Sequence, residues 1–272
     1  MNSTTSFLKR LQYLFNRHIL GRQYLTAYSA PYKTHFKFSI KDGIGKDIYY
    51  KWGVYSEDFI TQFILNQVGI TDSDLIIDIG ANIGWYSLVL SSEHHPKILA
   101  FEPDPVNFSL LSENIRMNGR QNIEAINRAV ADKESVMKLF LYKDYNQGRH
   151  SLIEGEKSKG YVEVKTVVLD EFIRQKGLDK VPIKFLKIDI EGFEYTALRG
   201  GRETLLRTQN VLSEFSPAIM RKIDESPEAY VNYMSELGFK AYELDESTIR
   251  KADFQRMLSN PKDVNDILWK RE

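Results

Sequence analysis

The 272-residue chain contains no cysteine. That excludes a disulfide framework, a thiolate metal site and a cysteine nucleophile, and it fits a reducing compartment, so a cytoplasmic location is expected. No run approaches the ~18 apolar residues of a membrane span. Met1 to Thr5 is polar and lacks the basic and apolar regions of a secretory signal. Acids are missing from the first 41 residues, which carry Lys9, Arg10, Arg17, Arg22, Lys33, Lys37 and Lys41. Formal charge is nonetheless zero overall, so the remainder holds the balancing negative excess. Such asymmetry marks an interaction surface. Internal repeats and low-complexity tracts are also absent.

What is present is a short apolar run, an acid and a glycine loop: Leu75-Ile76-Ile77-Asp78-Ile79-Gly80-Ala81-Asn82-Ile83-Gly84, with a helical pattern from Trp85. That order builds a nucleotide-type cofactor site at the carboxyl edge of a parallel sheet. Gly80 and Gly84 allow a tight turn and a close approach to a ligand. Asn82 fills the second glycine place of the dinucleotide fingerprint, and Trp85 occupies the third. A pyrophosphate therefore finds no close-approach glycine. Asp78 meets a cation better than an anion, so S-adenosylmethionine, with its ammonium and sulfonium, suits the loop better than NAD. Glu102 follows the next apolar run, twenty-four residues after Asp78. A Rossmann acid reaches the ribose hydroxyls at an interval of roughly 20 residues. Asp104, before a proline at a first helical position, reads as an N-cap. Pro103, Ala129 and Val130 complete the expected cofactor set.

Strands and helices then alternate, which predicts a mostly parallel α/β sheet. Strands are expected over 75–79, 98–101, 123–127, 185–189 and 211–215, with helices over 85–92, 106–117, 169–175, 195–206 and 227–237. Segments 239–244 and 266–269 close the sheet, the last strand running antiparallel. Segments 136–142 and 162–168 read as an inserted hairpin whose polar tip carries His150. Residues 1–54 read as an appendage to a catalytic domain over 55–272. Its helix places Phe7, Leu8, Leu11, Leu14, Phe15 and Ile19 at helical spacing between basic residues. Packing on the domain or a homo-oligomer contact is the favoured reading, and peripheral attachment to a membrane or glycolipid is the alternative. A hairpin is expected within Ala30 to Lys51, turning at Asp42-Gly43.

Asp78 to Gly84, Phe101 to Pro105 and Lys187-Ile188-Asp189-Ile190-Glu191-Gly192-Phe193-Glu194 together resemble the FkbM-type methyltransferases. The resemblance runs from about Tyr55 to about Leu244. It implies a class I, Rossmann-like fold dependent on S-adenosylmethionine, and methylation of a hydroxyl on a sugar or natural product. Many members carry a Glu directly after the Tyr that here is Tyr55. In this chain Ser56 intervenes before Glu57, and no role is assigned to Glu57.

Methyl transfer to an alcohol requires alignment and removal of a proton. Lys187, Asp189 and Glu191 alternate at the end of the fourth core strand and share one face if extended. Glu214 ends the neighbouring strand. Asp189, Glu191, Lys187 and His150 are the candidate catalytic residues; the bland alternative is a polar network holding the cofactor ammonium. A divalent metal is not favoured, since no histidine accompanies the carboxylates at ligand spacing. Ile190-Glu191-Gly192 replaces the Pro-Pro-aromatic run of many amino-group methyltransferases, and no continuous basic track suits a phosphate backbone. Both points count against nucleic acid. The reading is an O-methyltransferase for a sugar or small-molecule hydroxyl. The alternatives are a nicotinamide-dependent oxidoreductase and a non-catalytic cofactor-binding partner protein.

Overall fold

A computed structural model describes residues 3–142, 152, 158–245, 248–260 and 264–271. The basic amphipathic repeat forms helix α1 (Ser3–His18). Strands β1 (Tyr24–Ser29) and β2 (Thr34–Ser39) follow as an antiparallel hairpin. This hairpin lies upstream of the one expected from the sequence. Ile48-Tyr49-Tyr50 is not a strand but the last turn of helix α2 (Gly43–Tyr50). Asp42, read as a turn residue, is that helix's N-cap and accepts from the Gly45 N–H at 2.6 Å.

Helix α3 (Asp58–Gln67) leads into the first half of the sheet: β3 (Leu75–Ile79), α4 (Trp85–Val89), β4 (Lys97–Phe101), α5 (Pro105–Met117) and β5 (Ile123–Ile126). Next come β6 (Ala129–Ala131), β7 (Val136–Tyr142), β8 (Ser158–Val168) and α6 (Leu169–Gln175). The second half is β9 (Ile183–Ile188), α7 (Glu194–Arg199), α8 (Arg202–Leu206), β10 (Thr208–Phe215), α9 (Pro217–Lys222) and α10 (Pro227–Glu236). The chain closes with β11 (Phe239–Asp245), β12 (Thr248–Lys251), α11 (Phe254–Ser259) and β13 (Asn265–Arg271). The helix expected over 195–206 is two helices. They break at Gly200, where a Cβ would fall 2.5 Å from the Ala131 carbonyl oxygen.

The main sheet has the order β12-β11-β13-β10-β9-β3-β4-β5. Strands β3, β4, β5, β9 and β10 are parallel, and β13 inserts antiparallel between β10 and β11. This is the class I methyltransferase sheet, with its antiparallel last strand. Growth of the sheet reverses direction between β3 and β9, and ligands of open α/β sheets bind outside the carboxyl ends at such a switch point. Strands β6, β8 and β7 form a separate small sheet. The tip between β7 and β8, including His150, lies outside the described residues.

Alternation along the buried strands separates two apolar layers. Ile76, Ile98, Phe185, Leu212 and Leu268 face one side, and Ile77, Leu99, Leu186, Val211 and Trp269 the other. The first layer also contains Tyr13, Phe36, Phe38 and Ile48, so residues 1–54 share a core with the sheet. Asn114 of α5 is a buried polar link between them. It is fully buried and donates to the Lys37 and Ile83 carbonyls at 3.0 and 2.9 Å, while accepting from the Lys37 N–H at 2.7 Å. Asn114→Leu leaves those groups without partners and should lower the unfolding free energy by about 2–4 kcal/mol. Urea titration of the two proteins measures the difference.

Candidate active site

The chain leaves β3 through Gly80 and Asn82, both at positive φ (81° and 51°). The Gly80 and Ala81 N–H groups donate to the Phe101 carbonyl at 3.0 and 2.9 Å, fixing the loop to the end of β4. A Cβ on Gly80 would lie 2.1 Å from the carbonyl oxygen of Asp189. The glycine is thus demanded by the backbone of β9, where sequence reasoning assigned the space to a ligand. A side chain on Gly84 would press into Leu111 of α5.

Glu102 is buried at the end of β4. One oxygen accepts from the Asn82 N–H and the other from the Asp104 N–H, each at 2.8 Å. A single carboxylate thereby holds the glycine loop and the start of α5, and lone pairs remain for further donors. Burial pushes its pKa up to about 8. Asp104 caps α5 as expected, accepting from the Val106 and Asn107 N–H groups. Asp78 departs from expectation. It is 1% exposed and turned into the first turn of α4, where Oδ2 accepts from the Ser87 N–H and hydroxyl at 3.1 and 2.6 Å. Its Oδ1 is buried without a hydrogen-bond partner. Its charge helps to keep Lys187 protonated.

Three clefts meet at the switch point. A narrow apolar one is lined by Phe101, Pro103, Ala129, Val130, Leu139 and Ile190. A second, beside the glycine loop, is lined by Gly80, Asn82, Tyr86 and Lys187, together with Tyr55, Glu57 and Asp189. The third is larger, about 440 Å³, and its walls include Ile44, Asp47, Glu191, Glu214 and Asp266. Tyr55, Glu57 and Asp189 line this cleft too.

Strand register explains the concentration of acids. Ile188 stands opposite Ser213, so Asp189 and Glu214 follow at one level, and Glu214 is the direct partner of Asp266 on β13. Like charges placed opposite each other are destabilising. Lys187 offsets them. Its ammonium is buried, lies 3.2 Å from Asp189 Oδ2, and sits 5.1 Å from the centre of the Tyr86 ring. Burial works against that charge, yet Asp189, Asp78 and Glu57 together hold it protonated and raise its pKa above the usual lysine value. A lysine so held positions Asp189 and cannot serve as a base.

Glu57 enters from the start of α3, accepting from the hydroxyls of Tyr55 at 3.0 Å and Tyr86 at 2.8 Å. Burial, with Asp189 nearby, raises its pKa. Burial likewise holds the Glu214 carboxyl well above its usual range; it accepts from the Ser216 hydroxyl. Asp266 is pushed up to about 7 by burial and by Glu57 and Asp189. Glu191 has a left-handed backbone, φ +57°, an uncommon state for a residue with a Cβ that clusters at functional sites. Glu194 begins α7 and accepts from the Ile190 and Gly192 N–H groups at 2.9 and 3.2 Å, bracing that turn. One carboxylate oxygen each from Asp189, Glu191 and Glu214 lie within 4.8 Å of one another, a spacing compatible with a cation. Sequence reasoning missed Tyr55, Glu57 and Asp266. Only the topology brings Asp266 beside Asp189, whereas Glu57 could have been reached by allowing the one-residue insertion at Ser56.

A family model described as the methyltransferase FkbM domain matches residues 78–241. The chain belongs to the FkbM methyltransferase family. Methyltransferase sdnD of Sordaria araneosa is 27% identical over 178 residues, covering 54% of this chain and 67% of that protein. The 31-O-demethyl-FK506 methyltransferase FkbM of Streptomyces tacrolimicus is 28% identical over 180 residues, again covering 54% and 67%. The hexuronic acid methyltransferase AglP of Haloferax volcanii is 25% identical over 154 residues, covering 54% of this chain and 58% of its own. The matched stretches thus span 58% to 67% of these relatives. As an FkbM-family member the protein is a methyltransferase that uses S-adenosylmethionine. Its residues fit that cofactor: an apolar slot at Pro103, Ala129 and Val130 for a flat base, and beside the glycine loop an acidic wall for a cationic end.

Two outcomes test this geometry. Gly80→Val should abolish binding of S-adenosylhomocysteine in calorimetry and destabilise the fold by about 2–4 kcal/mol, because the Asp189 backbone must retreat. Asp266 is neutral-favoured when folded, so its contribution to stability falls as pH rises from its unfolded pKa toward about 7 and is constant above. Asp266→Asn should therefore change little near pH 4 and stabilise the protein by about 1–3 kcal/mol at pH 8, as read by urea unfolding at both values.

Proposed function

We propose that this FkbM-family protein is an O-methyltransferase whose acceptor is a sugar hydroxyl in a glycan, glycolipid or glycosylated metabolite. One observation carries the reading: Tyr55, Glu57 and Asp189 line both the cleft beside the glycine loop and the 440 Å³ cleft. Donor and acceptor sites therefore share a wall. The larger cleft has the size of a small-ligand site, and its carboxylates are acceptors suited to a polyhydroxylated molecule. The names of FkbM and AglP, which specify an O-methyl position and a hexuronic acid, support the same class.

S-adenosylmethionine supplies an activated methyl group. The chain's own residues supply alignment and a proton acceptor. Asp189, at the shared wall, accepts the hydrogen bond of the reacting hydroxyl and takes its proton. The Lys187 ammonium fixes the orientation of that carboxylate. Glu57, held by two tyrosine hydroxyls, and Glu191, fixed on its strained turn, bound the acceptor on either side. Glu102, Asn82 and the apolar slot hold the cofactor.

The deciding experiment offers labelled S-adenosylmethionine to the protein with fractionated glycans, lipids, proteins and small molecules. Label recovered as a base-stable methyl ether on a sugar supports the proposal; label on an amine or on protein sinks it. With an acceptor in hand, Asp189→Asn should lower turnover by roughly 10²–10⁴-fold and leave S-adenosylhomocysteine affinity nearly unchanged. Activity that disappears with a chelator and returns with a divalent ion would transfer part of the role to a metal held by Asp189, Glu191 and Glu214.

A further inference from the structure

Helix α1 faces the wrong way for an ordinary surface helix. Among its described side chains Tyr13 and Asn16 are the buried ones, and Tyr13 packs against Tyr49 and Tyr50 of α2 with its hydroxyl donating to the Ile40 carbonyl. On a helical wheel, Leu8, Leu11, Leu14 and Phe15 fall on the opposite arc. They are 46% to 58% exposed, and Ile19, just past the helix, is 70% exposed. The packing predicted for this apolar stripe is therefore not made, and the stripe is turned away from the protein. Singly exposed leucines need no explanation, but a contiguous apolar face rimmed by polar residues marks an interaction surface.

The rim identifies the partner. Lys9, on the protein-facing arc, lies 4.4 Å from the centre of the Tyr49 ring and 4.7 Å from that of Trp52, and Arg10, on the flank, lies 5.9 Å from that of Tyr50, so aromatic faces hold cations where the helix meets the protein. An open groove of about 560 Å³ between α1 and β1 adds Arg22 beside Lys9, Asn16 and Leu20. The first acid in the chain is Asp42, and it is buried as the cap of α2. A second copy is a poor occupant, since a two-fold contact would set two acid-free basic helices side by side. A surface that is apolar and negatively charged matches both features at once. We infer that α1 is an in-plane membrane anchor, its outward arc entering the acyl boundary of an anionic bilayer and its basic flank meeting the lipid phosphates. Helix α2 connects this surface to chemistry: its tyrosines receive Tyr13, and its residues Gly43, Ile44 and Asp47 line the 440 Å³ cleft. The acceptor cleft is then held one helix away from the bilayer.

Co-sedimentation of the full chain with vesicles tests the anchor, using phosphatidylcholine alone and phosphatidylcholine mixed with phosphatidylglycerol. The protein should bind the mixed vesicles, bind neutral vesicles weakly, and be released by salt. Leu8→Asp combined with Leu11→Asp should weaken binding by at least about tenfold, with thermal midpoint and S-adenosylhomocysteine affinity unchanged because both side chains are solvent-facing. No binding to anionic vesicles, or equal binding by the double variant, overturns the inference. A lipid-free dimer that the double variant dissociates, without vesicle binding, overturns it in favour of a second copy.

Discussion

The ammonium of Lys187 is the charge on which the acidic edge of this sheet depends. Topology sets Asp189, Glu214 and Asp266 at one level on three adjacent strands, and places Asp78 beside Lys187 on a fourth. Buried carboxylates without a counter-charge neutralise themselves by taking up protons. With one ammonium in their midst, Asp189 gains an ion pair, while burial raises the pKa values of Asp78, Glu214 and Asp266. The edge therefore carries one ion-paired acid among acids that burial disposes toward the protonated form.

That edge is roofed by residues outside the parallel core. Tyr55 and Glu57 come from the lead-in to α3, and Gly43, Ile44 and Asp47 from α2. The hydroxyls of Tyr55 and Tyr86 converge on Glu57, and burial raises both their pKa values well above the usual tyrosine range, so they remain donors. The N-terminal segment thereby belongs to the site as well as to the core. The Asn114 hydrogen bonds and the shared apolar layer bind it to the sheet.

Much of the parallel core was legible in the sequence, because strands buried on both faces read as continuous apolar runs and their ends fall at glycines and acids. Leu75–Ile79 and Leu169–Gln175 were placed to the residue. What failed were features set by tertiary contact. The β-branched and aromatic run Ile48-Tyr49-Tyr50 favours a strand by propensity, yet the Asp42 cap and packing against Tyr13 make it helical. The periodicity of α1 revealed an apolar face but carried no information on which face the protein covers. Asp78 was read by type as a ligand for a cation, and only the structure shows that one of its two oxygens is engaged by Ser87 of α4. Asp266 lies far along the chain from Asp189 and becomes its neighbour only through the strand order, which local sequence patterns do not encode.

The contact between Gly80 and the Asp189 carbonyl has an evolutionary consequence. Two separate motifs, the loop after β3 and the turn after β9, touch backbone to backbone where a Cβ on residue 80 would fall 2.1 Å from that oxygen. Neither motif can drift alone. A larger residue at position 80 is tolerable only in a chain whose second motif has already moved, and a shift of Asp189 toward β3 is blocked by the first. Mutational paths that change the spacing between these two motifs must therefore pass through paired substitutions. The glycine loop and the turn after β9 vary as one unit.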